Sequence, residues 1–210
     1  MYEAVVFDVD GTLIDTEKAI LCSLQRTLKE EMNREYPLAE LTFVLGIPGT
    51  ASLQQLGVRN VDGLLHKWDL YMRDFCDEIH VFTGIEPVLN ELRRLGIKTG
   101  IVTSKTRQEL IADLSPFQLA RFFSYTVCAD DTRKHKPEPE PLLKLMEVAD
   151  IRPEKAVYIG DTLYDLQTAQ GAGVDFGLAL WGANNKVMPG AKYRFGSPNE
   201  ILSIITGDRK

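Results

Sequence analysis

The sequence has few cysteines, no long apolar run and no cluster of basic residues, and each absence argues against a class of protein. The three cysteines, Cys22, Cys76 and Cys128, are far apart and form no C-x-x-C pair, which argues against a disulfide framework or a zinc site. No run of eighteen apolar residues is present, and an acidic third residue does not suit a signal peptide. We therefore expect a cytoplasmic protein with no membrane partner.

The charge balance narrows the class of ligand. The chain has 30 acidic and 24 basic residues, a formal charge of −6, and no dense run of Lys or Arg. It therefore lacks the positively charged surface that nucleic-acid binding needs, whereas a small ligand or one paired with a metal fits better. With 210 residues, 44% of them hydrophobic, the chain can bury the core of one domain, or of one domain with an insertion.

Short apolar runs alternate with segments of helical periodicity over much of the chain. The runs AVVF before Asp8, TGIV before Thr103, YTVCA before Asp130 and AVYI before Gly160 are typical of buried parallel strands, and FGLALW is a candidate fifth strand. The segments IEPVLNELRRLG, PLLKLMEVADI and DLQTAQGAG have helical periodicity. The alternation predicts an α/β fold with a doubly wound parallel sheet.

One interval, from about residue 16 to residue 82, interrupts this alternation. It shows helical periodicity without a convincing strand, and the segments EKAILCSLQRTLKEEM and VDGLLHKWDLYMRDFCDEI each carry an apolar stripe. Because a connection this long needs somewhere to pack, we predict an inserted α-helical cap domain over 16–82. The α/β core domain is then formed by 1–15 and 83–210. One elaborated crossover inside a single domain is the alternative.

Polar residues follow the predicted strands, at the edge where open parallel sheets bind ligands. In chain order they are Asp8, Asp10, Gly11, Thr12, Thr103, Ser104, Lys105, Asp161, Thr162 and Asp165, with Lys134 and Lys136 in the loop KHKPEPEP. Two ionised carboxylates about 4 Å apart repel by roughly 4 kcal/mol at an effective dielectric near 20, so such a cluster requires a cation. Aspartate and backbone oxygens suit octahedral Mg²⁺, and Lys136 is a candidate second positive charge.

The same residues suit phosphate chemistry. The Gly11 turn is expected to leave backbone N–H groups facing an anion, and the Thr103 hydroxyl can donate to another oxygen. A carboxylate can attack phosphorus to form an aspartyl-phosphate, while a neighbouring carboxyl first protonates the leaving oxygen and then activates water. This chemistry explains why two aspartates, Asp8 and Asp10, follow one strand.

The motifs resemble those of the haloacid dehalogenase superfamily of hydrolases, and most of all its phosphoglycolate phosphatase-like group. They occur in the family's order and with roughly its spacing over essentially the full length of the chain. The matching residues are Asp8-Val-Asp-Gly-Thr12, Thr103 after its strand, Lys136-Pro-Glu-Pro139 and Gly160-Asp161-x-x-x-Asp165. The family also places a mobile helical cap after the first motif, as the insertion here suggests.

The resemblance implies a role for each matching residue. Asp8 is the implied nucleophile and Asp10 the general acid/base. Mg²⁺ is the implied cofactor, held by Asp8, the Asp10 backbone carbonyl and Asp161, with Asp165 completing the metal site. Thr103 and Lys136 are implied to act in catalysis by binding the transferring phosphoryl group. The full predicted phosphate-binding set is Gly11, Thr12, Thr103, Ser104 and Lys136.

The sequence leaves an alternative open for the roles of Ser104, Lys136 and Asp165. The sequence TSK, where the family more often has TNK, leaves the role of Ser104 open. Lys134 is a rival of Lys136 as the phosphate-binding lysine, although the adjoining prolines favour Lys136. Asp165 can be an ordinary acidic residue in the first turn of a helix, where it interacts with the helix dipole.

The choice among members of the superfamily rests on Asp10 and on the cap loop 44–53. Dehalogenases lack the second aspartate and phosphonoacetaldehyde hydrolases resemble D-x-A-G-T, so Asp10 argues against both. Sugar-phosphate mutases of the β-phosphoglucomutase type keep both aspartates, but they carry basic side chains in the matching loop to hold a second phosphate. The loop VLGIPGTASL has no Lys or Arg. Its candidate specificity residues are Leu45, Ile47 and Gly49.

We therefore expect a Mg²⁺-dependent phosphatase that hydrolyses a small soluble phosphomonoester, phosphoglycolate-like, through an aspartyl-phosphate. A small carboxylate would be read by backbone N–H groups or by a basic cap residue such as Lys67 or Arg59. The alternatives are a sugar-phosphate mutase, a pyrophosphatase and a phosphate-binding protein without turnover. The expected partner is a small-molecule phosphate, not nucleic acid or membrane, and the expected assembly is a monomer or homodimer.

Overall fold

The computed structural model describes residues 1–207 and contains a six-stranded sheet. The strands of the chain are β1 (Ala4–Phe7), β2 (Ile14–Asp15), β3 (His80–Val81), β4 (Lys98–Val102), β5 (Tyr125–Val127), β6 (Ala156–Gly160), β7 (Asp175–Ala179) and β8 (Tyr193–Phe195). The large sheet has the order β5-β4-β1-β6-β7-β8, and all neighbouring strands in it are parallel. The doubly wound α/β prediction is confirmed, and all five predicted strands are present.

Strand β1 lies at the centre of the sheet because its side chains are apolar on both faces. Phe7 is in register with Ile101 of β4 and Ile159 of β6. Val5 and Phe7 belong to one buried apolar cluster and Val6 to the other, as expected for successive residues of a strand covered on both faces. Asp8 follows directly, so it emerges at the carboxyl edge between two neighbouring strands.

Helices cover both faces of the sheet and form the insertion. They are α1 (Glu17–Met32), α2 (Leu38–Leu41), α3 (Gly49–Gln55), α4 (Val61–Met72), α5 (Ile85–Arg94), α6 (Arg107–Leu114), α7 (Glu140–Ala149), α8 (Leu163–Ala172) and α9 (Ile201–Thr206). The predicted helical segments of the core correspond to α5, α7 and α8. Within residues 1–207, no helix has both the length and the apolar character needed to cross a membrane.

Helices α1 to α4 form the inserted cap that the fold class predicts. They share a buried apolar cluster of their own, made of Leu21, Leu24, Leu28, Leu41, Val44, Leu53, Leu64 and Trp68. Helix α1 coincides with the predicted segment EKAILCSLQRTLKEEM. The domain boundaries after residue 15 and before residue 83 stay a prediction.

Three short strands, β2, β3 and β8, were not expected from the sequence. The interval 16–82 was expected to lack strands, but β3 at its end pairs antiparallel with β2, with Ile14 opposite Val81 and Asp15 opposite His80. Strand β8, with the sequence YRF, adds a sixth strand at the edge of the large sheet. Strands of two or three residues are too short to show an alternating pattern, so sequence periodicity does not detect them.

Candidate active site

The acidic residues of the predicted site meet at the carboxyl edge of the sheet. Asp8 follows β1, Asp161 follows β6, and Asp165 lies in the first turn of α8. One carboxylate oxygen from each of these three residues lies within 4.8 Å of the others. Parallel neighbouring strands end at the same edge, and this brings together residues that are far apart in sequence.

The side chain of Lys136 connects two of these carboxylates. Its ammonium lies 2.9 Å from Oδ1 of Asp8 and 2.7 Å from Oδ1 of Asp165. All three side chains are buried. Burial lowers the pKa of Lys136, but Asp165 and Asp8 outweigh it and raise this pKa above its ordinary value. The rival Lys134 is exposed and lies 3.4 Å from Glu138, so it is remote from the acidic cluster.

The Asp8 carboxylate is only partly satisfied. Within the described part of the chain its Oδ2 has no hydrogen-bond partner, although this atom is buried. The pKa of Asp8 is raised to about 7. Burial is the main cause, Lys136 opposes it, and Asp165 and Asp10 add to it. A buried carboxylate with one free oxygen is suited to accept a cation or to attack an electrophile.

Asp165 supports the site through hydrogen bonds to both of its oxygens. Oδ1 accepts from Lys136 and, at 2.9 Å, from the buried Tyr158 hydroxyl, while Oδ2 accepts from the Thr162 amide at 3.0 Å and the Thr162 hydroxyl at 2.5 Å. Thr162 and Asp165 form the capping box of α8, so the simpler interpretation of Asp165 as a first-turn acid also holds. Its predicted role as a metal ligand stays a prediction. Tyr158 was missed, and its only sequence signal is a tyrosine in an otherwise aliphatic strand.

The Asp10 carboxylate is held through one oxygen. Its Oδ1 accepts from the Thr16 hydroxyl at 2.6 Å and lies 3.0 Å from the Lys105 ammonium, which also lies 2.8 Å from Asp113 of α6. Burial lowers the pKa of Lys105, but Asp10 and Asp113 outweigh this and raise it. Sequence reasoning assigned no role to Thr16, Lys105 or Asp113. The only available signal was the position of Lys105 in the strand-end motif TSK.

Gly11 and Thr12 shape the acidic cluster. Gly11 has a φ of +72°, and a Cβ there would lie 2.3 Å from Oδ2 of Asp161, so only glycine lets the loop approach this carboxylate. The Gly11 N–H itself donates to the Ile14 carbonyl at 2.9 Å in the tight turn, so an anion would have to meet other N–H groups of this loop, and their predicted contact with phosphate stays a prediction. The Thr12 hydroxyl donates to Oδ1 of Asp161 at 3.0 Å. This hydrogen bond orients Asp161, and the predicted phosphate-binding role of Thr12 stays a prediction.

The cap loop contacts the strand ends. The Ser104 hydroxyl donates to the Gly46 carbonyl at 2.9 Å, and a Cβ on Gly46 would lie 2.9 Å from Cγ2 of Thr162. Ser104 therefore joins core and cap, and its predicted phosphate contact stays a prediction. The hydroxyl of the buried Thr103 accepts from the Lys105 amide at 3.2 Å, which leaves its proton available for a phosphate oxygen.

A cavity of about 210 Å³ lies between cap and core. Asp8, Asp10 and Lys136 line its inner end, and the candidate specificity residues Ile47 and Gly49 line its cap side. The third candidate, Leu45, instead lines a second cavity of about 320 Å³, next to Asp161 and Trp181. Lys67 and Arg59 lie outside the first cavity, whereas Arg73, which sequence reasoning did not consider, lines it.

The acidic cluster fits a hard divalent cation. Its potential ligands are carboxylate oxygens, which Mg²⁺ prefers, and Oδ2 of Asp8 is buried without a partner. Burial, together with Asp165 and Asp8, raises the pKa of Asp161 well above its ordinary value, because nearby negative charge is not balanced. Asp8, Asp161 and the Asp10 carbonyl are the residues that would hold the ion.

The fold and this acidic site together define a class of hydrolase. Residues 5–179 match the model of the haloacid dehalogenase-like hydrolases. The chain belongs to this family, as the sequence motifs predicted, and within it the chain is of the phosphatase type.

Two relatives in sequence and one solved structure are similar to this chain over most of its length. A Caldanaerobacter subterraneus protein provisionally named pyrophosphatase PpaX is 34% identical over 97% of this chain and 94% of its own length. Pyrophosphatase PpaX of Bacillus cereus is 32% identical over 84% of this chain and 82% of its own. The crystal structure of a Lactobacillus plantarum protein, provisionally named a phosphoglycolate phosphatase, has a TM-score of 0.88 and 32% identity and covers 97% of this chain and 99% of its own.

Proposed function

We propose that the protein is a Mg²⁺-dependent phosphatase that hydrolyses a small organic phosphomonoester through an aspartyl-phosphate on Asp8. One observation carries this proposal. Asp8 is buried and held by Lys136 at 2.9 Å through one oxygen, while its other oxygen has no partner within residues 1–207. Asp10 lines the same cavity. A fixed carboxylate with a free oxygen and a neighbouring carboxyl group is suited to covalent phosphoryl transfer.

In the first step a carboxylate oxygen of Asp8 attacks phosphorus, and the bond between phosphorus and the ester oxygen breaks. Protonated Asp10 gives its proton to the departing oxygen, so the product leaves as a neutral alcohol. The hydrogen bond from Thr16 and the ion pair with Lys105, both at Oδ1 of Asp10, support this role because they fix the carboxyl group relative to the cavity.

In the second step Asp10, now ionised, takes a proton from a water molecule as the water oxygen attacks phosphorus. The bond between phosphorus and Asp8 breaks, which restores the Asp8 carboxylate and releases inorganic phosphate. Lys136 and the Thr103 hydroxyl are suited to bind the phosphoryl oxygens in both steps, since an ammonium and a hydroxyl both donate to anionic oxygen. Mg²⁺, when bound by Asp8, Asp161 and the Asp10 carbonyl, would supply positive charge against the developing phosphoryl charge.

Pyrophosphate is the second candidate substrate. The relatives named pyrophosphatase PpaX favour it, at 34% and 32% identity. The chemistry on Asp8 would be the same, with inorganic phosphate in place of the alcohol as leaving group. A mutase is less well supported, because the cap loop 44–53 has no basic residue to hold a second phosphate.

The proposal is tested by measuring phosphate release in the presence of Mg²⁺. The substrates are p-nitrophenyl phosphate, 2-phosphoglycolate, sugar phosphates, nucleoside monophosphates and pyrophosphate. Asp8→Asn is the blank, because it removes the nucleophile with little change of volume. We expect release that EDTA abolishes, that Mg²⁺ restores and that Asp8→Asn lacks. Turnover that persists in Asp8→Asn would contradict the mechanism, and release from pyrophosphate alone would establish the second candidate.

A further inference from the structure

One face of helix α4 forms part of the cap wall of the main cavity. Leu65, Trp68, Asp69 and Met72 all line the cavity. They stand at positions i, i+3, i+4 and i+7, which lie on the same side of a helix. Three of them are apolar, as expected for a helix face packed toward the interior. Asp69 places a carboxylate in the middle of this apolar face.

The Asp69 carboxylate has no protein partner. Across residues 1–207 its side chain takes part in no hydrogen bond and no ion pair within 4 Å, and the residue is exposed where it lines the cavity. The pKa of Asp69 is raised to about 6, chiefly by the surrounding protein and also by Glu109, against the charges of His66, Lys105 and Arg73. Because Asp69 is exposed and unpaired on an otherwise apolar wall, its carboxylate is available to accept a hydrogen bond from a ligand in the cavity.

The opposite wall adds more negative than positive charge. Glu109 and Asp113 of α6 line the cavity there, and Lys105 lines it too. Lys105 is already paired with Asp10 and Asp113, so its charge is balanced within the protein. A second phosphate or a carboxylate on the substrate would find Arg73 as its only unpaired cation among the described cavity residues. It would also face Asp69 and Glu109, which have no ion pair within residues 1–207, whereas Asp113 is paired with Lys105.

We infer that this part of the cavity binds the alcohol portion of an organic phosphomonoester, with a hydroxyl or ammonium group of that portion donating to Asp69. Its carbon atoms pack against Leu65, Trp68 and Met72. The inference rests on the proposed phosphatase function and specifies its substrate class. Pyrophosphate and phosphoglycolate, whose remaining part is anionic, are poor substrates on this basis.

The test compares matched esters that differ only at the end of the chain. Alkyl phosphates of two to four carbons are used with a terminal methyl, hydroxyl or ammonium group, and 2-phosphoglycolate and pyrophosphate are added. The wild type, Asp69→Asn and Asp69→Leu are assayed for kcat/KM. Asp77→Asn, which removes an exposed carboxylate of the cap outside the cavity, is the matched control. Circular dichroism verifies that each variant is folded.

We expect the hydroxyl or the ammonium ester to exceed the methyl ester by about tenfold or more in kcat/KM, the factor typical of a hydrogen bond to a charged group. If ammonium is the donor, Asp69→Asn removes the preference because the amide carries no charge. If hydroxyl is the donor, Asp69→Asn keeps part of the preference through its amide oxygen and Asp69→Leu removes it. The methyl ester and Asp77→Asn are expected to show little change.

The outcomes separate this inference from the proposed function. Phosphate release that depends on Asp8, but that prefers an anionic substrate or does not respond to Asp69, overturns the inference and keeps the phosphatase function. Absence of Asp8-dependent release from every substrate overturns both.

Discussion

The Lys105 ammonium lies 3.0 Å from Oδ1 of Asp10 and so ties the proposed general acid/base to the core. The same ammonium lies 2.8 Å from Asp113 of helix α6, and Thr16 donates to the same Asp10 oxygen at 2.6 Å. Two donors on one oxygen fix the plane of a carboxyl group, which otherwise rotates freely. The position of Asp10 therefore depends on residues that follow two different strands.

Replacing Lys105 by Gln is expected to lower kcat by about tenfold to a hundredfold with a smaller change in KM, because the group that transfers the proton loses its orientation. Asp113→Asn is expected to act in the same direction and less strongly, since it leaves the contact between Lys105 and Asp10 in place. Steady-state kinetics of both variants measure this. Lys134→Gln, at an exposed lysine of a core loop, is the control, and an unchanged kcat in Lys105→Gln would refute the positioning role.

Thr12→Val is expected to weaken Mg²⁺ binding by about tenfold to a hundredfold, the usual effect of losing a hydrogen bond to a metal ligand. The substitution keeps the shape of the buried side chain and removes the hydroxyl that donates to Asp161 at 3.0 Å. The measurements are the Mg²⁺ concentration at half-maximal activity and the rise in melting temperature on adding Mg²⁺. Thr42→Val, which removes an exposed hydroxyl bonded to a backbone carbonyl, is the control. An unshifted Mg²⁺ titration would contradict this role of Thr12.

Asp69 makes stability depend on pH in a defined window. Its pKa is raised from 3.8 to about 6 in the folded protein by desolvation and Glu109, against His66, Lys105 and Arg73. The folded state then binds more protons than the unfolded state between about pH 4 and pH 6, so the wild type loses stability as pH rises through that window. Asp69→Asn is expected not to lose stability in this way, because its amide does not ionise.

The free energy of unfolding of Asp69→Asn, relative to wild type, is therefore expected to increase from pH 4 to pH 6 and to level off above pH 7. Urea unfolding of both proteins at several pH values measures the difference, with Asp77→Asn as the control. A difference between Asp69→Asn and wild type that stays constant over this range would show that the carboxylate is not desolvated in the folded protein.

Gly182→Ala is expected to destabilise the protein by about 1–3 kcal/mol, as overpacking typically does, and to lower activity. A Cβ at Gly182 would lie 1.8 Å from the Gly11 carbonyl oxygen, and neither backbone segment can move without displacing the other. The neighbouring Trp181 donates to the Thr12 carbonyl at 3.0 Å, so a displacement of residue 182 is expected to shift the loop after β1 that holds Asp8 and Asp10. Thermal unfolding and phosphate release measure both effects. At the control position, Gly196→Ala, the new atom would meet only the end of Glu200 at 3.2 Å, and equal effects in the two variants would refute the argument.

Local patterns predicted most of the fold and the motif residues of the site. The apolar run before Asp8 became the central strand, and α1 covers the predicted segment residue for residue, because strand and helix periodicities depend on near neighbours in sequence. The two-residue strands β2 and β3 were missed because they are too short for any period. The hydrogen bond from the Gly11 N–H to the Ile14 carbonyl was not predicted, since the sequence of a glycine-containing loop does not reveal which carbonyl each N–H meets.

The sequence by itself determined the order of strands and helices, the helical insertion and the acidic residues at the strand ends. Only the tertiary structure decided which partner each side chain takes. Thr12 meets Asp161 across 149 positions of the chain, and Ser104 meets Gly46 across 58. Such contacts depend on how separate segments pack, and packing responds to shape and charge from all sides of a residue. The proposed role of Asp69 in binding the substrate likewise depends on tertiary structure, because the fold of the cap places that face of α4 against the cavity that Asp8 lines.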